Sequence, residues 1–268
     1  MHPFHATLLG VVEGLTEFLP ISSTGHLILT SSWLRLQSES VKSFEVILQA
    51  GALGAVLGLY RARVRSMWRG LVEREAAGKR LLVNVLVSVL PALLVGAVAH
   101  RAIKTHLFAT WPVVAALALG GIWMIGIDRW LGRRPAASRT LDSLTIREAL
   151  FIGCLQCLAL WPGTSRAMVT IVAGLLVGLP AMAAAEYSFL LAMPTLGAAT
   201  LFEAAQSGHV IWRDIGWRSI CCGFAATAIV AALAIRGFMA YLTRRGLEPF
   251  GWYRVGLAAL MGIFAPRP

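Results

Sequence analysis

Between Val12 and His26 an apolar chain turns abruptly polar. Glu13, Thr16, Glu17, Ser22, Ser23, Thr24 and His26 crowd into a stretch otherwise made of valine, leucine and phenylalanine. Glu13 and Glu17 are four residues apart, so on a helix they share one face, and like charges at that spacing repel. The pattern therefore calls for a cation beside them, either a divalent metal or an arginine. Pro20 interrupts the helix, Ser22 or Ser23 can cap the next one, and His26 follows one turn in. The product is a helix–break–helix with a polar tip sunk in an apolar segment. A solvated helix face with an ordinary cap would not be written among such neighbours, and ionisable groups held in apolar surroundings are functional candidates by default.

The rest of the chain says what surrounds that tip. Of 268 residues 57% are hydrophobic and 14% charged, with a mean hydropathy of +0.72, where a soluble domain carries about a quarter charged residues. The chain reads as an all-α polytopic membrane protein. Its net charge of +11 fits basic cytoplasmic loops and anionic membrane lipids. No basic stripe is interleaved with aromatics, so nucleic acid is not expected as a partner. The N-terminus lacks the basic region and small-residue cleavage site of a signal peptide. Cys154 and Cys157 have a redox or zinc spacing but sit in an apolar run without a second ligand pair, which reads as packing.

The single membrane domain, 1–268, divides into two copies of one plan. Residues 4–19 and 22–36 are apolar segments too short to span comfortably, and a re-entrant hairpin over 4–36 fits them, since such backbone is tolerated when protein surrounds it. Spans follow near 44–60, 81–99 and 109–128. A second broken pair, 148–161 and 167–180, forms a hairpin over 148–180 around Pro162-Gly163-Thr164-Ser165-Arg166, and spans near 185–203, 217–236 and 250–265 close the chain. Trp111, Trp130, Trp212, Trp217 and Trp252 mark the ends of these runs as an interfacial belt. Gly10-x-x-Glu13 answers to Gly153-x-x-Gln156, Pro20-x-x-Ser23 to Pro162-x-x-Ser165, and Glu45 to Glu186. A hairpin plus three spans, in 1–130 and again in 140–268, makes the second copy enter from the opposite face. The expected fold is thus an inverted-topology repeat of about six transmembrane helices plus two re-entrant helical hairpins.

Charge counting agrees. With the 61–80 loop in the cytoplasm, that side holds its seven basic residues, then Arg129, Arg133, Arg134, Arg139 and Arg147, then Arg236, Arg244, Arg245 and Arg254: 16 of the 24 lysines and arginines. Arg35, Lys42, Arg101, Lys104, Arg213, Arg218 and Arg267 fall outside, and Arg166 lies at the second tip. The bias places both termini outside and lets the two tips meet near mid-membrane.

Brought together, the tips contribute Glu13, Glu17, Ser22, Ser23, Thr24, Gly25 and His26 from one side and Gly163, Thr164, Ser165, Arg166 and Thr170 from the other. Each break precedes a helix start, so free N–H groups and positive dipole ends converge on an anion site, and Arg166 adds a planar fork for phosphate or a partner for Glu13 or Glu17. Carboxylates beside an anion site make sense with Mg²⁺ or Ca²⁺, which join one or two carboxylates to substrate phosphates; Glu13 and Glu17 are the candidate ligands. Phosphoryl transfer then needs an aligned nucleophile. Ser22 or Ser23 can attack with His26 as base, or His26 can activate water or attack directly.

Glu13-Gly-Leu-Thr-Glu17-Phe-Leu-Pro-Ile-Ser-Ser23-Thr-Gly-His26 closely resembles the first signature of the undecaprenyl-diphosphate phosphatases, the bacitracin-resistance membrane family, and Pro162-Gly-Thr-Ser165-Arg166 resembles the second. Phe44-Glu-Val-Ile-Leu-Gln49 and Glu186-Tyr-Ser-Phe-Leu-Leu-Ala are also similar, so the likeness runs along nearly the whole chain. It implies a metal-dependent enzyme of the bacterial inner membrane, open to the periplasmic face. Such an enzyme removes the terminal phosphate from C55 isoprenyl diphosphate and recycles the lipid carrier of peptidoglycan synthesis. By that resemblance Glu13 and Glu17 are the essential acids, Ser23 the nucleophile, His26 its partner and Arg166 the diphosphate clamp, with Ser165 and Thr170 as further contacts. The family usually continues Ser-Arg with Ser-Gly, where this chain has Ala167-Met168. A homodimer is compatible with this reading. The competing class is a transporter or flippase of a phosphorylated lipid or small anion, because inverted repeats with broken helices are also carrier architecture.

Overall fold

The structure is a computed structural model and describes residues 1–36, 38–107, 109–131 and 139–264. Among these there are eleven α-helices and no strand: α1 Pro3–Thr16, α2 Ser23–Trp33, α3 Glu39–Leu59, α4 Arg61–Val72, α5 Ala76–His106, α6 Thr110–Leu131, α7 Ile146–Gln156, α8 Arg166–Leu176, α9 Ala181–Ile215, α10 Trp217–Leu242 and α11 Glu248–Phe264. Arg133, Arg134 and Arg267, counted above, lie outside the described residues.

Five helices, α3, α5, α6, α9 and α10, are long and apolar enough to cross a membrane. Their outward faces are apolar: Val98 is 90% exposed, and Leu94, Leu119, Leu201 and Leu233 are also exposed. Only lipid makes that arrangement favourable, since soluble proteins rarely expose contiguous apolar surface on this scale. The protein is a multi-pass membrane protein. All five belt tryptophans are exposed, as interfacial anchors should be. Cys154 departs from the packing expectation as an exposed free thiol, while Cys157 is half-buried.

Small residues bring the buried helices together, because helices in lipid associate through close van der Waals contact. α1 packs on α10 and α7 packs on α5, and the two contacts correspond position for position. A Cβ at Gly10 would stand 2.4 Å from the Gly223 carbonyl; one at Gly153 would stand 2.5 Å from that of Ser88. Ser219 Oγ donates to the Met1 carbonyl at 2.7 Å, and Asn84 Nδ2 donates to that of Leu144 at 2.8 Å. α3 crosses α9, and α6 lies along α11, where Gly121 and Gly251 each face the other's carbonyl.

Three expectations are corrected. The 61–80 segment is not a loop: Arg61–Val72 is helical, with Met67 and Gly70 buried on the face that meets α5 and arginines on the other. Arg254 is no loop charge either; it is fully buried in α11. The first hairpin helix also ends at Thr16, earlier than Pro20 alone would require, and residues 17–21 form a turn.

Candidate active site

The two hairpin breaks adopt one backbone. Ser22 caps α2 with φ 72° and ψ 96°; Ser165 caps α8 with φ 72° and ψ 111°. Each hydroxyl accepts the N–H three residues on, that of Gly25 at 3.5 Å and that of Met168 at 3.2 Å. Non-glycine residues rarely hold positive φ, and such strain clusters at functional sites. The match shifts the register read from the sequence by one residue. Ser22, not Ser23, corresponds to Ser165, so Ser23 and Arg166 are the equivalent first residues of their helices.

Those two residues converge on one carboxylate. Ser23 Oγ donates to Glu17 Oε2 at 2.5 Å, and Arg166 Nη2 donates to Glu17 Oε1 at 2.9 Å. The ion pair is nearly sealed, with side-chain exposures of 11% for Arg166 and 5% for Glu17. Arg166 Nη1 donates to the Ser188 carbonyl at 3.0 Å, and its guanidinium lies 5.7 Å from the Phe18 ring centre. Thr170 sits behind this arginine, bonded to the Arg166 carbonyl and the Ser188 hydroxyl, so it shapes the arginine's seat from below. Thr24 is half-buried in the first turn of α2, while Gly25 and Thr164 are buried. Gly163 holds φ 94°, and a Cβ there would come within 2.6 Å of the Val113 carbonyl.

Glu13 is fully buried one turn before Glu17, and neither of its carboxylate oxygens has a hydrogen-bond partner. Glu17 and Glu45 repel its charge and Arg166 offsets part of it. Buried carboxylate oxygens without donors are costly, and two hard oxygens facing an acidic neighbour suit a divalent cation. Among the described residues no three His, Cys, Asp or Glu side chains converge on one point. A divalent cation held beside Glu13 would need substrate phosphates and water to complete its shell.

The His26 ring is not bonded to either serine hydroxyl. Its Nδ1 bonds the Ser22 carbonyl at 2.7 Å, and its Nε2 bonds the Tyr253 hydroxyl at 2.7 Å. Next to Tyr253, Arg254 donates to the carbonyls of Gly163 at 3.0 Å, Ala116 at 3.1 Å and Pro20 at 3.4 Å. One buried guanidinium thus ties both breaks to α11 and α6. Sequence reasoning missed both residues. Arg254 was counted as a loop charge although it is the one charge between Pro249 and Phe264.

The model of the family described as "Bacitracin resistance protein BacA" matches residues 6–260. The chain belongs to this family. Relatives named "Undecaprenyl-diphosphatase" include one from Sorangium cellulosum, 49% identical over 96% of this chain and 85% of its own length. Others come from Nitrosomonas europaea, 43% identical over 97% and 93%, and Rhizorhabdus wittichii, 42% identical over 96% of each chain. The BacA match spans both hairpins and every residue of the site above.

Proposed function

We propose that this BacA-family protein is an undecaprenyl-diphosphatase of the bacterial inner membrane, hydrolysing the terminal phosphate of C55 isoprenyl diphosphate and so recycling the carrier lipid of peptidoglycan synthesis. The observation that carries the reading is the double contact on Glu17: a hydroxyl from one hairpin and a guanidinium from the other meet a single buried carboxylate. An anion carrier has use for Arg166 but none for a serine whose proton already rests on an acid.

In this mechanism the diphosphate enters over the starts of α2 and α8. There the N–H groups of Ser23, Thr24, Arg166 and Ala167 lack intrahelical acceptors, and both helix dipoles present their positive ends. Arg166 clamps the phosphate oxygens with its fork. Ser23 Oγ attacks the terminal phosphorus as its proton passes to Glu17 Oε2; the anhydride bond breaks and the lipid monophosphate leaves. Water then attacks the phosphoserine with His26 as its base; the Ser23 oxygen–phosphorus bond breaks, Glu17 returns its proton to Ser23 Oγ, and inorganic phosphate leaves. Ser22 is held back from attack by its capping bond. Glu13, with Glu17 beside it, would hold Mg²⁺ or Ca²⁺, which when bound supplies positive charge to the diphosphate oxygens.

Further support bears on topology. Met1 and Ser40 are bonded to Asp214 at one end of the bundle, while Arg63 and Arg80 bond Asp142 and Arg139 bonds Glu148 at the other. The arginine-rich end fits the cytoplasm, which turns the first hairpin's mouth to the periplasm. The matched contacts of α1 on α10 and α7 on α5 support an inverted repeat, with α11, 17 residues long, as the sixth span. An apolar groove of about 570 Å³ between α3 and α10, lined by Gly51, Gly54 and Phe224 among others, is suited to the prenyl tail.

Purified protein given isoprenyl diphosphate and Mg²⁺ should release inorganic phosphate, and Arg166→Met should lower kcat/KM about 100- to 1,000-fold. Movement of intact substrate in liposomes without phosphate release would replace the enzyme by a carrier.

A further inference from the structure

We infer that Tyr253 is the positioning residue of His26, an inference that rests on the phosphatase reading above. A carbonyl only accepts, so the 2.7 Å contact with Ser22 puts the ring proton on Nδ1. The lone pair of the neutral ring is then on Nε2, and the phenol at 2.7 Å donates to it. The two rings lie parallel, 1° apart in plane and 5.6 Å between centres. His26 is therefore held from both sides, by the strained break residue Ser22 and by α11.

The α11 contact is fixed in register. Arg254, the next residue, is locked by the carbonyls of Pro20, Ala116 and Gly163, so Tyr253 cannot slide along the first hairpin without breaking those bonds. Ser23 meanwhile gives its proton to Glu17, not to the imidazole. The basic nitrogen of His26 is thus kept off the nucleophile, and because the Tyr253 hydroxyl already donates to it, the proton of the attacking water reaches Nε2 through that hydroxyl, which takes the water's proton as it gives up its own. Removing the hydroxyl frees the ring to rotate about a single remaining bond. Misplacement of a catalytic group by about 1 Å costs on the order of 100-fold in rate.

The test is Tyr253→Phe, which keeps the ring and its stacking. It should lower kcat about 10- to 100-fold, with KM and the thermal unfolding midpoint near wild type. In a His26→Ala background the same substitution should change nothing, because the residue acts through the imidazole. The ¹⁵N resonances of His26 should also move in Tyr253→Phe. Wild-type kcat in Tyr253→Phe overturns the inference, as does an equal loss in the His26→Ala background or an unmoved Nε2 resonance. Absence of phosphate release from the wild type would instead overturn the enzymatic reading, and the resonance would still report on the Tyr253–His26 contact.

Discussion

At places 143 residues apart, α1–α2 carries Glu13, Glu17, Ser23 and His26 where α7–α8 carries Gln156, Leu160, Arg166 and Val169. The caps, the positive-φ serines and the close glycine contacts are held in common. What differs is chemistry. Glu13 has two unpartnered oxygens, whereas Gln156 donates to the Ser88 carbonyl at 3.3 Å. Glu17 holds a nucleophile and a cation; Leu160 is an apolar residue in a short 3-10 turn. One backbone device therefore serves twice, once to carry reactive groups and once to deliver the counter-charge that lets them be buried together.

The largest effect should follow removal of the reactive half's hydroxyl. Ser23→Ala should lower kcat about 10,000-fold or more with the unfolding midpoint little changed, since only one hydrogen bond is lost. Phosphate release at a tenth of the wild-type rate would move the nucleophile elsewhere.

A charge exchange between the hairpins sharpens the contrast. Glu13→Gln should lose activity about 100-fold or more yet unfold at a higher temperature, because it removes a buried charge that nothing in the chain bonds. Gln156→Glu should destabilise by about 3–5 kcal/mol, as a carboxylate set against the Ser88 carbonyl is an uncompensated buried charge. Added Mg²⁺ or Ca²⁺ should raise the wild-type midpoint by mass action and leave that of Glu13→Gln in place.

These contrasts also explain what the sequence could say. Polar residues in an apolar run are conspicuous, so Glu13, Glu17, Ser23, His26 and Arg166 were legible as a group, as was the meeting of Glu17 and Arg166 across two hairpins; that His26 turns to Tyr253 was not. Adjacent serines were not distinguishable: only the backbone angles of Ser22 pair it with Ser165 and make Ser23 the counterpart of Arg166. Arg254 was hidden by its charge, which statistically belongs to loops until three carbonyls are seen around it. The helix Arg61–Val72 was hidden for the same reason, its arginines masking the period set by Met67 and Gly70. Tyr253 had no signal, because its meaning depends on a residue 227 positions away.

The shared backbone predicts equal sensitivity where the chemistry plays no part. Gly10→Ala and Gly153→Ala would each push a methyl group into a carbonyl oxygen, so each should cost about 1–3 kcal/mol. A large difference between them would break the equivalence of the two packing sites.

The smallest effect lies at the hairpin mouths, which are closed differently. At the start of α7, Arg139 donates to both oxygens of Glu148, at 2.7 and 3.0 Å, and to the Val177 carbonyl at 2.6 Å, clipping the hairpin's entrance to its exit. Glu148 also completes a capping box with Thr145. α1 has only a His2 side-chain cap. The hydrogen bonds from Arg139, with those from Thr145, hold the Glu148 carboxyl down at about 2, below its usual value, against the opposing effect of partial burial. A depressed carboxyl contributes stability that is complete above the unfolded value near 4.5 and disappears as pH falls toward the folded one. Wild-type protein should therefore lose midpoint between about pH 4.5 and 2 relative to Glu148→Gln, whose midpoint is lower at neutral pH and less dependent on acid. Because the clip lies on the second hairpin and away from Glu17, phosphate release at neutral pH by folded Glu148→Gln should match wild type; a loss there would mean that the mouth of the second hairpin governs the placement of Arg166.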